Sequence, residues 1–280
     1  MPVSIAHLGP KGTFSEFAAA TYAESLAGQS TQLAAYPTIA QAIKATENGK
    51  ADFCVVPIEN SIGGGVTITL DTLWEIETLQ IQQSFTLPVQ HALISRASSI
   101  GEIETIYSHP QALAQCRNWL GEHLPEVALI PTSSTSEPLP YVKENLSAGA
   151  IASSWGAKVY HLPVLAHPIN DFADNYTRFW VLGRQPAAHG QYTSLAFNLP
   201  TNEPGALLKP LQLFSVLNIN MSRIESRPTK RLLGEYVFFV DIEASAQDRT
   251  LQTALELLKL HTATLKVFGS YDVTEIEHLL

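Results

Sequence analysis

The 280-residue sequence is poor in sulfur, with two methionines and two cysteines, Cys54 and Cys116. Both cysteines sit in apolar surroundings without paired spacings, which excludes a disulfide framework and points to reduced, buried thiols. Clustered metal ligands are missing as well, since the nine histidines are scattered. No apolar run reaches the roughly 18 residues of a membrane span, and Met1 to Leu8 lacks the basic head and apolar core of a signal peptide. The expectation is a cytoplasmic protein with no membrane partner. Positive charge is scarce, with 17 Lys and Arg against 26 Asp and Glu and a formal net charge of −9. That argues against nucleic acid as the main partner, and an anionic ligand would need local positive potential. Apolar material is plentiful at 45%, enough for a large core, and the length suits about two domains.

Val3 to Leu8 is a short apolar run closed by Gly9-Pro10-Lys11-Gly12, and Thr13 with Glu16 has the spacing of a capping box opening a helix. Tyr36 to Asn48 reads as a second helix and Ala51 to Ile58 as a buried strand. Glu59-Asn60-Ser61 then leads through Gly63-Gly64-Gly65 into an amphipathic segment with Val66, Leu70, Leu73 and Trp74 on one face. Ile103 to Tyr107 leads into Ser108-His109-Pro110-Gln111 and a helix on which Gln111 and Gln115 share a face. Ala148 to Ala152 is a small-residue strand followed by Ser153-Ser154-Trp155. Four such strand-to-helix entrances present backbone N–H groups to an anion, or each is an ordinary turn that binds nothing. Ile81 to Ser95 reads as a crossover to a second α/β lobe and His161 to Ile169 as the return, which would place a ligand in the cleft between lobes.

Asn170 to Trp180 reads Asn-Asp-Phe-Ala-Asp-Asn-Tyr-Thr-Arg-Phe-Trp. It is either a loop delivering polar groups into that cleft or a surface turn beside a strand. Gly183 to Gly190 is a polar linker bearing Pro and Gly that marks a domain boundary. Beyond it, strands at Tyr192–Leu199, Ile219–Ile224, Glu235–Ile242 and Leu265–Tyr271 and helices at Pro204–Leu217 and Gln247–Leu260 follow the order βαββαβ, a ferredoxin-like arrangement. Pro210 is expected to kink the first of these helices or restrict its regular part.

Together these motifs resemble the prephenate dehydratase family with a C-terminal ACT-type regulatory domain. The resemblance rests on Gly9-Pro10-Lys11-Gly12-Thr13-Phe14-Ser15, on Pro57-Ile58-Glu59-Asn60-Ser61 with Gly64 and Val66, and on Ser108-His109-Pro110-Gln111 through Gln115-Cys116. It rests further on Asp171 with Thr177-Arg178-Phe179, on Pro204-Gly205-Ala206-Leu207, and on Met221 through Glu225-Ser226-Arg227-Pro228. It implies an α/β fold: a two-lobed, periplasmic-binding-protein-like catalytic domain over residues 1–184 and a βαββαβ ACT domain over 191–280. Gly63 and Gly65 stand where the family often has an acid and a small hydroxyl residue. Pro138 and Pro140 fall in a segment normally helical, and Pro210 is unusual in the regulatory helix. The chain starts directly with its first strand, so a monofunctional enzyme without a chorismate mutase domain is expected.

The implied reaction converts prephenate to phenylpyruvate with loss of water and carbon dioxide. It asks for no nucleophile, metal or cofactor. The resemblance assigns Thr177 to hydrogen bonding or protonating the leaving hydroxyl, with Asn60 and Gln115 as further catalytic residues. It implies substrate contacts from Thr13, Phe14, Ser15, Glu59, Ser61, Gly64, Ser108, His109, Gln111, Ser153, Arg178 and Phe179. A cation clamped on the departing carboxylate would stabilise the ground state more than the transition state. Arg178 is therefore expected to serve the pyruvyl carboxylate or the loop itself, with helix-entrance N–H groups at Thr13, Ser61, Ser108 and Ser153 for the other carboxylate. L-Phenylalanine is the implied effector, bound by Gly205, Ala206, Leu207, Asn218, Glu225, Ser226, Arg227 and Pro228 at a contact between regulatory domains of a homodimer or homotetramer. Arogenate dehydration and a non-catalytic small-molecule sensor are the alternatives.

Overall fold

The computed structural model describes residues 1–187 and 189–276. Ala188, within the expected linker, and residues 277–280, at the end of the expected second domain, lie outside the described residues. The first lobe runs β1 (Val3–Leu8), α1 (Phe14–Ser25), β2 (Thr31–Tyr36), α2 (Ile39–Glu47), β3 (Phe53–Asn60), β4 (Gly64–Gly65), α3 (Thr67–Glu75) and β5 (Gln80–Pro88). The second runs β6 (His91–Ser95), β7 (Thr105–Ser108), α4 (Pro110–Gln115), α5 (Arg117–His123), β8 (Ala128–Pro131), α6 (Leu139–Glu144), β9 (Ala148–Ser153), α7 (Ser154–Tyr160) and β10 (Val164–Ala166). The chain returns through β11 (Tyr176–Gly183). A third unit follows with β12 (Tyr192–Asn198), α8 (Leu208–Val216), β13 (Met221–Pro228), β14 (Tyr236–Ile242), α9 (Arg249–Lys259) and β15 (Thr264–Tyr271), and β16 (Val273–Glu275) closes the described chain.

Three sheets result: β16-β5-β11-β3-β1-β2 with β4 beside β3, β10-β6-β9-β7-β8, and β13-β14-β12-β15. The α/β, two-lobed architecture and the ferredoxin-like third sheet are those the sequence implies. β11 inserts antiparallel between β3 and β5, which sets Thr177 opposite Asn60 and Arg178 opposite Glu59. The two lobe crossings are tied by Asn170, whose amide donates to Val89 O at 2.7 Å and accepts from His91 N at 2.5 Å.

The third unit shares a core with the first lobe. Val237, Phe239, Phe268 and Tyr271 pack in one buried cluster with Ile81, Trp180 and Leu182. Each such large apolar side chain contributes about 1.5–3 kcal/mol when fully buried, so this unit is packed onto the lobe. β16 crosses from it to pair in parallel with β5, and the last strand of its own sheet ends at Tyr271.

Local differences from the sequence reading have physical causes. Tyr36 ends a strand, because Pro37 disfavours the helical region for the residue before it; α2 starts two residues later, where Thr38 Oγ1 accepts from Gln41 N at 3.2 Å. Pro210 occupies the third position of α8, where a missing N–H costs nothing, and the regular part of the helix is confined to Leu208–Val216 within the expected Pro204–Leu217. Pro138 and Pro140 likewise sit at the start of α6. Ile219 N donates to Phe214 O at 2.8 Å, closing the end of α8 around the left-handed Asn218, and this delays β13 to Met221. Among the described residues no helix is long and apolar enough to cross a membrane.

Candidate active site

A cleft of about 240 Å³ opens between the lobes, lined by Phe14, Pro57, Asn60, Val66, Val89, His91, His109, Gln111, Ala112, Gln115, Thr135 and Thr177. One chain of hydrogen bonds runs along it, with its direction fixed by the backbone. The Gly63 and Ile62 N–H groups donate to Asn60 Oδ1 at 2.8 and 3.2 Å. The Asn60 amide nitrogen must therefore donate, and it reaches Thr177 Oγ1 at 2.9 Å, Asn175 Oδ1 at 2.8 Å and Tyr176 O at 3.1 Å. Asn175 Nδ2 in turn donates to Gln115 Oε1 at 3.2 Å. Because Thr177 Oγ1 already accepts from Asn60, its own O–H remains free to donate into the cleft.

At the four helix entrances several N–H groups already have partners within the protein. Thr13 Oγ1 accepts from Glu16 N at 3.2 Å, and Glu16 Oε2 accepts from Gly12 N at 2.6 Å and from Trp155 Nε1 at 3.0 Å. Ser153 Oγ accepts from Gly156 N at 3.1 Å and donates to Gly12 O at 2.9 Å, clipping one lobe to the other. His109 Nδ1 accepts from Gln111 N at 3.3 Å. Ser61 N donates to Tyr176 O at 2.8 Å. Ser108 Oγ is buried and donates to Ile151 O at 2.5 Å. Side chains or neighbouring strands thus occupy N–H groups at each entrance, and the cleft's polar lining is amide, hydroxyl and imidazole.

The family model described as "PDT: Prephenate dehydratase" matches residues 5–187. The chain belongs to the prephenate dehydratase family. It is 40% identical over 279 residues to a prephenate dehydratase of Lactococcus lactis subsp. lactis, covering 97% of this chain and 98% of that one. It is 40% identical over 271 residues to a bifunctional chorismate mutase/prephenate dehydratase of Aquifex aeolicus, covering 96% and 73%. The crystal structure of a prephenate dehydratase from Arthrobacter aurescens in complex with L-Phe superposes with a TM-score of 0.86 at 34% identity, covering 96% of this chain and 90% of that one.

Of the residues singled out by the prephenate dehydratase motifs, the structure brings Phe14, Asn60, His109, Gln111, Gln115 and Thr177 to the cleft wall. Thr13, Ser15, Glu59, Ser61, Gly64, Ser108, Ser153, Arg178 and Phe179 are not in that wall. Phe179 is buried with Val55 and Phe85 in the first lobe's core. Ser61 Oγ accepts from Tyr176 N at 2.9 Å, and Gly64 pairs with Asn60 through β4, so both hold the frame of the site. Asp171 accepts from Asn118 N and Trp119 N at the start of α5 and donates its own N–H to Gln115 O at 2.8 Å.

Arg178 points away from Thr177, as successive residues of a strand do. Its guanidinium hydrogen-bonds Asp241 of the third unit and lies 3.2 Å from Glu59. Burial would lower the Arg178 guanidinium, but Asp241, Tyr271 and Glu59 together outweigh it and the net shift is upward. Arg178, expected to serve the pyruvyl carboxylate or the loop itself, here forms an ion pair across the unit boundary. Arg223, Glu225 and Arg227 occupy alternate positions of β13 and face the first lobe. Arg223 Nε lies 3.5 Å from Glu59, and Arg227 pairs in two bonds of 3.0 and 3.1 Å with Asp71. A Cβ at Gly65 would fall 2.1 Å from Glu225 Oε2, and one at Gly63 2.8 Å from Gln111 Nε2, so a side chain at either place would displace the end of that neighbour. Gly205, Ala206 and Leu207 lie in the turn before α8, and Ser226 and Pro228 are exposed on the face of β13 opposite Glu225.

Sequence reasoning missed Pro57, Val66, Val89, His91, Ala112 and Thr135 as lining residues. His91 carried the one available signal, a polar ring heading the wholly buried strand β6. Cys54 and Cys116 are free and buried, and burial pushes each thiol up to about 12, which suits inert core residues.

Proposed function

We propose that this chain catalyses the decarboxylating dehydration of prephenate to phenylpyruvate in phenylalanine biosynthesis, with phenylalanine as its effector. The observation that carries the mechanism is the Asn60–Thr177 hydrogen bond of 2.9 Å. The electron pair of the breaking ring–carboxylate bond moves into the ring and expels hydroxide from the far carbon, leaving carbon dioxide, water after one proton is taken up, and an aromatic product. Thr177 donates its free O–H to the departing oxygen, and Asn60 fixes the hydroxyl's orientation. Threonine is a weak acid, so placement supplies much of the effect, and acid assistance of this kind is worth ~10²–10⁴-fold. Gln115 and Gln111 offer amide donors to the substrate's oxygens. Neutral donors suit this reaction, because a tightly held cation would favour the ground state in which the departing carboxylate still carries its charge.

The cleft lining contains no Asp or Glu among the described residues, so nothing there neutralises an ammonium group. That favours the keto acid prephenate over the amino acid arogenate. Side-by-side turnover with purified protein tests this: prephenate is expected to be preferred on the order of 10-fold or more in kcat/KM. Equal or inverted preference overturns the substrate, and turnover of neither overturns the enzyme in favour of a sensor.

Phenylalanine is proposed to bind through Gly205–Leu207, Asn218 and the Glu225–Pro228 segment where the third units of two copies meet in a homodimer or homotetramer in the cytoplasm. Arg178, Arg223 and Arg227 would carry its effect, since their carboxylate partners include Glu59, beside Asn60, and Asp71 on α3.

A further inference from the structure

His91 lines the cleft but has no role in the reading above. It is 3% exposed, and its backbone is held on both sides: its N–H donates to Asn170 Oδ1 at 2.5 Å and its carbonyl accepts from Ile169 N at 2.9 Å. Phe14 packs edge-on against the ring with centroids 5.8 Å apart. Imidazole Nε2 lies 2.9 Å from Gln115 Oε1, while the buried Nδ1 has no hydrogen-bond partner among the described residues.

The tautomer of this ring follows from atoms far from it. Backbone N–H groups fix Asn60 Oδ1 as an acceptor, which makes the Asn60 amide nitrogen the donor to Asn175 Oδ1. Asn175 Nδ2 is then the donor to Gln115 Oε1. A flipped Gln115 would set two NH₂ groups against each other, so Oε1 stays an acceptor and the hydrogen of the imidazole contact must come from Nε2. Gln115 Oε1 is held from two sides, and its NH₂ has no hydrogen-bond partner among the described residues.

We infer that His91 is a positioning residue, a neutral imidazole carrying its hydrogen on Nε2, which locks the Gln115 side chain so that its NH₂ is presented to the substrate. It touches no reacting atom and acts through Gln115; the inference rests on the dehydratase reading for its kinetic consequence. Burial lowers the ring's affinity for a proton, with the Gln115 contact opposing this more weakly, which agrees with a neutral ring. A residue acting in this way is worth about 10–10²-fold in turnover, the cost of letting a substrate-facing group drift by an ångström.

Nitrogen-15 NMR of the histidine rings in the unmodified protein reads the tautomer without substrate. The expected result is a protonated Nε2 and a bare Nδ1 for His91 near neutral pH, and the opposite tautomer or an imidazolium overturns the inference. With prephenate, His91→Leu removes the donor at similar volume and is expected to lower kcat about 10–10²-fold with KM changed less than about threefold. His91→Gln, whose amide reaches the Nε2 position, is expected to restore most of that loss. A His91→Leu enzyme with normal kcat, or a Gln variant no better than Leu at equal folded content, overturns it. Should His91→Leu fail to fold, the Gln variant and the NMR tautomer still decide. Failure of unmodified protein to turn over prephenate would reject the dehydratase reading while leaving the tautomer result intact.

Discussion

Replacing Arg178 with methionine should cost stability and leave substrate affinity nearly unchanged. The Arg178 side chain is 18% exposed and that of its partner Asp241 1%. Without the guanidinium, Asp241 keeps only the Ser194 hydroxyl at 2.6 Å and a distant Arg223 nitrogen at 3.8 Å. Removing one member of a buried pair costs about 3–5 kcal/mol, because the other charge stays buried. Arg223 remains nearby, so the lower end, about 3 kcal/mol, is expected. That corresponds to a fall in Tm of roughly 6–12 °C in a chain of this size. Asp241→Asn in the Arg178→Met background should recover part of the loss, a coupling on the order of 1–3 kcal/mol in a double-mutant cycle. If Arg178 instead held a substrate carboxylate, its loss would raise KM on the order of 10²-fold. Thermal unfolding and steady-state kinetics on the same preparations separate the two. An unchanged Tm with a KM raised about 10²-fold would refute the ion-pair assignment.

Asn60→Ala removes the donor that orients Thr177, and kcat should fall by about 10²-fold. Asn60→Asp cannot donate when ionised and should be no better; full activity in the Asp variant would contradict the hydrogen-bond direction. Gly65→Ala would press a methyl group into the Glu225 carboxylate. It should shift the phenylalanine dose–response by roughly 3–10-fold while sparing kcat without effector, and an unchanged dose–response would uncouple this contact from regulation. Asp71 is raised by burial but lowered more by Arg227 and Lys230, so its net shift is downward. A carboxyl lowered by folding contributes stability above its unfolded value, and that stability is lost as pH falls through the lower folded value. Asp71→Asn should therefore flatten the loss of stability below about pH 4, and an identical acid limb in mutant and parent would exclude this pair as a contributor.

Much of the frame was legible because it is local. Apolar runs ending in glycine, the Thr13–Glu16 capping pair and the βαββαβ order after residue 190 are all properties of short windows. What a window cannot show is long-range register. The pairing of Thr177 with Asn60, 117 positions apart, arises from β11 inserting between β3 and β5. The same register turns Arg178 outward to Asp241, where sequence reasoning expected it to serve the pyruvyl carboxylate or the loop itself. The Thr13 cap occupies the Glu16 N–H at the first helix entrance. His91 escaped notice because a single histidine gains meaning only through the amide 24 residues away that it contacts. β2 and β16 were missed for another reason: Thr-Gln-Leu-Ala-Ala-Tyr and Val-Thr-Glu are weakly patterned edge strands whose pairing is set by neighbours.

The central claim is that the Thr177 hydroxyl acts on the departing oxygen. Its most direct test is the single-turnover rate of Thr177→Ala with saturating prephenate, alongside equilibrium binding of the substrate. The account predicts binding within about threefold of the parent and a rate lower by ~10²–10⁴-fold, largely regained by Thr177→Ser. A Thr177→Ala enzyme that turns over prephenate at the parental rate would contradict it.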